Sequence, residues 1–348
     1  MPNQVQSLPA FGAGRHLLSV QQFDRDLLQK LFDLADLVRP IAERRSVCTV
    51  LDGAVLGSLF FEPSTRTRLS FESAFLRLGG EVTTTTGFTF SSMAKGESIA
   101  DTSRVVSGYS DVLVVRHPDE GSVAEFAAAS IVPVINAGDG AGEHPSQALL
   151  DFYTLSSELA KRGRQVDGAT VAIVGDLKYG RTVHSLMKLL SLAENLTFRL
   201  FSPASLELPA KVAEFARSHG HKVIGCASVF DALTGSDCVY ATRVQRERMT
   251  EEALNSANIS GNLLNRAILE RAGATETIIM HPLPRDSRMD SFDLAADVDD
   301  LPGLSIFRQT DNGVLIRMAI FLIALGCSPD TVRATTEQRP WDATLRWP

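Results

Sequence analysis

The feature of the sequence that most constrains the fold is the alternation of short apolar segments with helical patterns. Seven segments rich in β-branched and apolar residues recur along the chain, and a helical pattern follows each of them. Parallel strands need long crossover connections, which are usually helices. We therefore expect an α/β protein with mostly parallel sheets and helices on both faces. The predicted strands are Ala54–Phe61, Asp111–Val115, Val132–Asn136, Thr170–Val174, Thr197–Phe201, Asp237–Ala241 and Thr277–Met280.

The length of the chain predicts more than one hydrophobic core. The chain has 348 residues, and single cores stop growing before this length, so we expect two domains with the active site in the crevice between them. We place the boundary near a predicted helix over Gln147–Leu159, which a polar, glycine-containing stretch follows. The predicted organisation is an N-terminal extension at 1–14, a first domain at 15–149, a second domain at 150–310, a helix at 311–326 that returns to the first domain, and a C-terminal tail at 327–348.

Charge and hydropathy exclude several classes of protein. The chain carries 34 Lys and Arg against 41 Asp and Glu, a formal net charge of -7, which argues against nucleic acid or an acidic membrane surface as a partner. No apolar run approaches the roughly 18 residues of a membrane span, and no signal-peptide pattern is present. The four cysteines form no C-x-x-C motif, which indicates reduced, buried thiols in a cytoplasmic protein. An anionic ligand therefore needs a local cluster of positive charge.

The strongest local signal for an anion site lies where the first predicted strand ends and a helix over Arg66–Leu78 begins. The free N–H groups of a helix N-terminus favour an anion, and the hydroxyls of Ser64, Thr65 and Thr67 add donors. Arg66 adds a guanidinium fork that matches phosphate oxygens. A simple N-cap followed by exposed arginines explains this density of donors less well. The segment predicts a phosphate site without a glycine loop.

Two further predicted strands in the first half end in residues that suit this site. Arg116 ends one strand, and the next leads through a glycine-rich loop to His144. Ligands of doubly wound sheets lie at the carboxyl ends of strands, so we expect both side chains near Arg66. The loop Ser91–Ser98, which carries Lys95, has the composition of a mobile surface loop when it is taken alone.

The second half repeats this arrangement with groups that suit carboxylates. The loop between Gly175 and Gly180 lacks the middle glycine of a dinucleotide site, so we do not expect NAD. Arg181 begins a helix, and Arg243 and Gln245 follow another strand, although Gln245 is equally well explained as an ordinary surface residue. Metalloprotease, calcium-loop and serine-nucleophile motifs are missing. We therefore expect no cofactor or metal, and a reaction in which positioned donors stabilise an oxyanion.

In their order, these motifs resemble the aspartate/ornithine carbamoyltransferase family from about Arg15 to about Gly326. Ornithine-specific members carry His-Cys-Leu-Pro where this chain has His281-Pro-Leu-Pro, which with Thr242-Arg-Val-Gln favours aspartate as the acceptor. The motifs are Phe-Glu-Pro-Ser-Thr-Arg-Thr-Arg, Ser-Ser-x-x-Lys-Gly-Glu-Ser, Val-Arg-His-Pro, Gly-Asp-Gly-x-x-x-His-Pro-x-Gln, Gly-Asp-Leu-Lys-Tyr-Gly-Arg-Thr, Thr-Arg-Val-Gln and His-Pro-Leu-Pro-Arg.

The resemblance implies transfer of the carbamoyl group of carbamoyl phosphate to the amine of L-aspartate, within pyrimidine biosynthesis. Two alternatives stay open: an ornithine-type or other amino-acid carbamoyltransferase, and a scaffold that keeps the fold without activity. The resemblance also implies a homotrimer with shared active sites. A regulatory chain and a dihydroorotase both stay open as partners, because the sequence points to neither.

The resemblance assigns individual residues to roles. Carbamoyl phosphate would be bound by Ser64, Thr65, Arg66, Thr67, Arg116, His144 and Gln147, and aspartate by Lys95, Arg181, Arg243 and Gln245. The catalytic residues would be Arg66, Thr67, Lys95, Arg116 and His144, with Ser91 and Lys95 supplied by a neighbouring subunit. The backbone of Leu283 and Pro284 would lie near the substrate, and Glu62, Arg181 and Arg248 would pair on domain closure.

Overall fold

The computed structural model describes residues 10–87, 92–245, 264–286 and 293–341. The chain divides into two compact units, the first formed by 1–146 with 313–348 and the second by 147–312. Each unit contains a parallel sheet flanked by helices, and all seven predicted strands are present. The prediction of an α/β protein with mostly parallel sheets is therefore confirmed.

The first unit is built on a four-stranded parallel sheet. The strands of the molecule are numbered in chain order. The first unit contains six of them: β1 (Ser46–Cys48), β2 (Val55–Phe60), β3 (Glu81–Thr86), β4 (Val112–His117), β5 (Val134–Asp139) and β11 (Thr336–Gln338). The sheet has the order β3-β2-β4-β5, and β1 pairs separately with β11. The helical segments of this unit are Val20–Gln22, Arg25–Ala42, Thr65–Arg77, Ser92–Lys95, Ile99–Ser107, Ser122–Ala129 and Pro329–Ala334.

The helix after β2 has an apolar face that closes the core of the first unit. The prediction of a helix over Arg66–Leu78 is confirmed, and the helix spans Thr65–Arg77. Its Phe71 and Phe75 rings are fully buried and meet Phe321, with centroids 5.8 Å and 4.9 Å apart. Phe321 belongs to the helix Ile306–Ala324, whose residues from 313 onward lie in the first unit. Aromatic packing thus fixes the helix that carries the predicted phosphate-binding residues.

The C-terminal segment is more ordered than the sequence predicts. We expected a C-terminal tail at 327–348, but within it Ser328 caps the helix Pro329–Ala334, and β11 then pairs antiparallel with β1. Backbone hydrogen bonds make this pair, so the polar residues of β11 give no apolar signal in the sequence. Trp341 is exposed, and Trp347 lies outside the described residues.

The second unit is built on a five-stranded parallel sheet with the order β10-β9-β6-β7-β8. Its strands are β6 (Thr170–Gly175), β7 (Thr197–Phe201), β8 (Lys222–Gly225), β9 (Cys238–Thr242) and β10 (Ile278–Met280). Its helical segments are Arg181–Leu190, Ala204–Leu206, Ala210–Ser218, Val229–Leu233, Arg266–Arg271 and Ala296–Val298. The helices Pro145–Ala160 and Ile306–Ala324 run across the boundaries between the units.

The cysteines are only partly as predicted. Cys48 and Cys238 are buried, whereas Cys226 and Cys327 are partly exposed. Burial raises the pKa of the Cys226, Cys238 and Cys327 thiols, which keeps them protonated at neutral pH. Among the helices of the described ranges, none is both long and apolar enough to cross a membrane.

Candidate active site

The strand order of each sheet creates a natural place for a ligand. In the first unit β2 lies between β3 and β4, so the connections that leave β2 and β4 diverge on opposite sides. In the second unit β6 lies between β9 and β7, so the connections that leave β6 and β9 diverge in the same way. Parallel sheets bind ligands beyond the carboxyl ends of strands at such switch points. Several predicted site residues lie at these switch points: Ser64–Thr67 follow β2, Arg116 lies near the end of β4, Arg181 follows β6, and Arg243 and Gln245 follow β9.

The segment after β2 is a helix N-terminus of the kind that was predicted to bind an anion. Ser64 is the N-cap of the helix Thr65–Arg77, with extended backbone, and its hydroxyl makes no capping hydrogen bond. Thr65 and Arg66 are exposed, whereas Thr67 is buried in the first turn. The first turn thus offers backbone N–H groups, hydroxyls and a guanidinium group on one short segment. Phosphate oxygens fit this set of donors.

Arg116 is the second-last residue of β4 and lies next to the start of this segment, because Arg116 and Phe60 are register partners in neighbouring strands. Its side chain is 10% exposed, and its Nη2 lies 2.9 Å from Glu62 Oε2. Its Nη1 donates to the Ala137 carbonyl at 3.3 Å. A buried guanidinium needs such partners. Glu62, which we predicted to pair on domain closure, therefore neutralises Arg116 here, and Arg248 lies outside the described residues.

The loop after β5 holds His144 at the same edge. Asp139 at the end of β5 accepts hydrogen bonds from the backbone N–H groups of Gly121 and Val123 at 3.0 Å and 3.3 Å. Gly140 has φ +49, and a Cβ there would lie 2.4 Å from the Glu120 nitrogen, so the chain passes too closely for a side chain. His144 is buried directly before the helix Pro145–Ala160. The loop is therefore fixed from both sides, and His144 is held with it.

The segment predicted to serve a neighbouring subunit is described only in part. Ser91 lies outside the described residues. Lys95 is exposed at the end of the short helix Ser92–Lys95. Ser98 caps the next helix, Ile99–Ser107, through a hydrogen bond from the Asp101 N–H. The single chain does not test an intersubunit role, which stays a prediction.

In the second unit a buried aspartate joins the segments that carry Arg181 and Gln245. Asp176 follows β6, and its carboxylate accepts hydrogen bonds from the N–H groups of Tyr179 at 2.9 Å and Gln245 at 3.0 Å. Its own N–H donates to Thr242 Oγ1 at 3.0 Å. Burial raises the pKa of Asp176, although the backbone donors partly offset this effect. Sequence reasoning missed Asp176, and its only signal is a lone acidic residue directly after a buried strand.

Two of the predicted aspartate ligands lie on this framework. Arg181 is buried as the first residue of the helix Arg181–Leu190, and Arg243 is half-buried after β9. Gly175 makes the arrangement possible, because a Cβ there would lie 2.1 Å from the Thr242 carbonyl oxygen. The two guanidinium groups thus follow adjacent strand ends, as a ligand with two carboxylates requires.

The turn after β10 is held by a buried pair, His281 and Asp293, of which sequence reasoning missed Asp293. His281 Nε2 lies 2.8 Å from Asp293 Oδ1, and both side chains are buried. His281 Nδ1 accepts from the Leu283 N–H at 2.8 Å. Leu283 has φ 56 and precedes a cis peptide bond to Pro284. The backbone predicted to lie near the substrate is thus fixed by His281 and Asp293 together.

The arrangement offers an anion-binding edge in one unit and paired guanidinium groups in the other. Across the described parts of the chain, no three His, Cys, Asp or Glu side chains are grouped so as to hold a metal ion. Each of the two units provides hydrogen-bond donors, cations and carboxylates that orient them. Such groups can bind and polarise an acyl phosphate and hold a dicarboxylate.

Comparison with known proteins agrees with this geometry. Residues 15–157 match the carbamoyl-phosphate-binding domain of the aspartate/ornithine carbamoyltransferases, and residues 167–324 match their aspartate/ornithine-binding domain. The aspartate carbamoyltransferase catalytic subunit of Dichelobacter nodosus is 55% identical over 312 residues, which are 90% of each chain. The catalytic subunit of Cellvibrio japonicus is 50% identical over 96% of this chain and 98% of its own.

Solved structures give the same result. Aspartate transcarbamoylase of Trypanosoma cruzi, in complex with carbamoyl phosphate and aspartate, aligns with a TM-score of 0.81 at 39% identity and covers 91% of this chain and 99% of its own. The Methanocaldococcus jannaschii catalytic subunit has a TM-score of 0.75 at 42% identity, covering 88% of this chain and 96% of its own. With both domains matched over most of its length, this chain belongs to the aspartate/ornithine carbamoyltransferase family.

Proposed function

We propose that this chain is the catalytic chain of an aspartate carbamoyltransferase. It transfers the carbamoyl group of carbamoyl phosphate to the amine of L-aspartate and forms N-carbamoyl-L-aspartate and phosphate. The observation that carries the proposal is the division of cationic groups between two sheet edges, with a helix N-terminus beside Arg116 in one unit and Arg181 with Arg243 in the other. The relatives named above support aspartate as the acceptor.

The proposed reaction follows from the charge that develops on the substrates. The neutral amine of aspartate attacks the carbamoyl carbon, and the carbonyl oxygen gains negative charge. Arg116, His144 and Thr67 stabilise this oxyanion, because donors aimed at developing charge lower the barrier most. The phosphate then leaves into the segment Ser64–Thr67, where the helix N-terminus and Arg66 receive it. The departing phosphate takes up the proton that the attacking amine loses, so it leaves as hydrogen phosphate.

Lys95 is proposed to act from a neighbouring subunit, together with Ser91. The exposed position of Lys95 is consistent with a side chain that reaches out of its own subunit. The proposed assembly is a homotrimer, in a cytoplasmic enzyme of pyrimidine biosynthesis. The interdomain crevice predicted for the active site also stays a prediction.

An assay with two acceptors separates the proposed function from its alternatives. The purified chain is offered carbamoyl phosphate with L-aspartate or with L-ornithine, and the carbamoylated product and phosphate are measured. We expect product from aspartate only. Transfer to ornithine would identify the ornithine-type alternative, and no transfer to either acceptor would support the scaffold.

Variants at the phosphate segment test the assigned residues and the shared site. Arg66→Ala should abolish turnover, because the transition state loses its main positive charge at the leaving phosphate. Lys95→Ala should also be inactive alone. If sites are shared, mixing the two variants under conditions that exchange subunits should restore part of the activity, since some hybrid sites contain both residues. Full activity of Arg66→Ala, or no recovery after proven exchange, would refute the respective assignment.

A further inference from the structure

A buried carboxylate in the second unit joins three distant segments of the chain. Asp151 lies on the helix Pro145–Ala160 and is fully buried. Its Oδ1 accepts hydrogen bonds from Gln147 Nε2 at 2.8 Å and from Gln309 Nε2 at 2.6 Å. Its Oδ2 accepts from the Tyr240 hydroxyl at 2.6 Å. No step of the proposed reaction uses Asp151, so its burial needs another explanation.

The network decides which end of the Gln147 amide is presented to a ligand. Oδ1 of Asp151 is an acceptor, so only the NH2 end of each glutamine can face it. The oxygen of Gln147 must therefore lie at the other end of the amide. Asp151 is fully buried and Gln147 is half-buried, which is consistent with an oxygen that points away from Asp151 toward the accessible side.

The second glutamine transmits the same orientation to the turn after β10. Gln309 turns its NH2 to Asp151, and its Oε1 accepts from the backbone N–H of His281 at 2.9 Å. His281 starts the turn that contains Leu283 and Pro284. One carboxylate thus anchors both Gln147 and the turn whose backbone was predicted to lie near the substrate.

We propose that Asp151 is a positioning residue that makes the site select carbamoyl phosphate by its amino group. This inference rests on the proposed function. In carbamoyl phosphate only the NH2 group donates hydrogen bonds, because the carbonyl and phosphate oxygens accept them. Gln147 with its oxygen outward accepts from this NH2, whereas a reversed amide would oppose donor to donor. Acetyl phosphate has a methyl group at this position and lacks the donors. The ratio of the affinities for carbamoyl phosphate and acetyl phosphate therefore measures how strongly the site selects the amino group.

Tyr240 allows a matched set of variants. Burial, with the Asp151 carboxylate nearby, raises the pKa of Tyr240 well above its ordinary value, so its hydroxyl remains a donor. In Asp151→Asn the new NH2 can take the place of Oδ2 and donate to the tyrosine oxygen, while the hydroxyl turns to Thr182, which also hydrogen-bonds to it. Oδ1 then still orients both glutamines.

In the double variant Asp151→Asn with Tyr240→Phe, the acceptor beside Oδ2 is gone. At the place of Oδ1 the new NH2 can donate to the oxygens of both Gln147 and Gln309, which reverses both amides. The reversed Gln309 then no longer accepts from the His281 N–H. Tyr240→Phe alone keeps the carboxylate and the native orientation. The two single variants are therefore controls for the double variant.

The experiment compares three anions in the wild-type enzyme and these variants. The affinity of carbamoyl phosphate, and the inhibition constants of acetyl phosphate and inorganic phosphate, are measured in the full chain. We expect the preference for carbamoyl over acetyl phosphate to be retained in both single variants and to fall about tenfold or more in the double variant. The inhibition constant of inorganic phosphate should stay the same, because the phosphate segment lies in the first unit.

Three outcomes would overturn the proposal: an unchanged preference in the folded double variant, a parallel loss of affinity for all three anions, or the same loss in Asp151→Asn alone. If the double variant does not fold, Gln147→Met provides a second test, because it removes the acceptor at similar length. An unchanged preference in Gln147→Met would also refute the inference. A wild-type chain that transfers no carbamoyl group would instead refute the proposed function.

Discussion

Replacing Asp293 by asparagine should loosen the turn that starts at His281. The Asp293 carboxylate has three donors: His281 Nε2 at 2.8 Å, the Leu294 N–H at 2.6 Å, and the Asp286 N–H at 2.6 Å. The tautomer of His281 is fixed, because its Nδ1 must accept from the Leu283 N–H. Nε2 therefore carries the proton, and position 293 must offer an acceptor to it.

The magnitude follows from the bonds that an amide can keep. In its best orientation the asparagine side chain of Asp293→Asn keeps its oxygen toward His281 and Leu294 and turns its NH2 toward the Asp286 N–H. One hydrogen bond to a charged group is lost, which costs about 1.5–3 kcal/mol. If the loss falls entirely on the turn, the equilibrium constant for opening rises about 10- to 150-fold.

Two measurements test whether the turn opens more often in Asp293→Asn. Amide hydrogen exchange over 281–286 should accelerate in Asp293→Asn by the same factor, when exchange follows local opening. Turnover with carbamoyl phosphate and aspartate should fall, because the backbone of Leu283 and Pro284 is no longer held in position.

Asp299→Asn is the matched control. Asp299 pairs with Arg285 of the same turn, and because the Asp299 side chain is 41% exposed, solvent screens the pair and we expect it to contribute no more than about 1 kcal/mol. Exchange and turnover equal to wild type in Asp293→Asn would refute the role of the buried pair. An equal effect in Asp299→Asn would show that the loss of any negative charge at this turn is enough to loosen it.

Other parts of the molecule give three further predictions. Burial lowers the pKa of His184 below 6.5, so the neutral side chain stabilises the fold above pH 6.5 and this contribution is lost as the pH falls. His184→Gln should therefore flatten the decline of the unfolding free energy between about pH 7 and 5.5. An unchanged decline in urea titrations would contradict this. Phe321→Ala should destabilise the first unit by about 3–5 kcal/mol in urea unfolding, since its ring packs on Phe71 and Phe75; a loss below about 1 kcal/mol would contradict the packing. Gly175→Ala should lower Tm by about 5–10 °C because its Cβ meets a strand carbonyl, and an unchanged Tm would refute the close approach.

Local sequence was sufficient for the elements with strong apolar patterns. All seven predicted strands lie in the two parallel sheets, where runs of β-branched residues are typical, and all but the partly exposed β7 are mostly buried. The strands that we missed are β1, β3, β8 and β11, which carry polar, threonine-rich or partly exposed sequences. Edge strands and short strand pairs are held mainly by backbone hydrogen bonds, so their side-chain pattern predicts them poorly.

The sequence by itself determined the helix N-terminus that we propose to bind phosphate, because its hydroxyls and arginine lie within one short segment, Ser64–Thr67, directly after a strand. Only the tertiary structure decided the burial and the hydrogen-bond partners of Asp151, Asp176 and Asp293. Asp151 meets Tyr240 across 89 positions of sequence, and Asp176 meets Gln245 across 69. A lone aspartate has no local pattern that reveals its partners, since burial and hydrogen bonding arise only when distant strand ends are brought to one edge of a sheet.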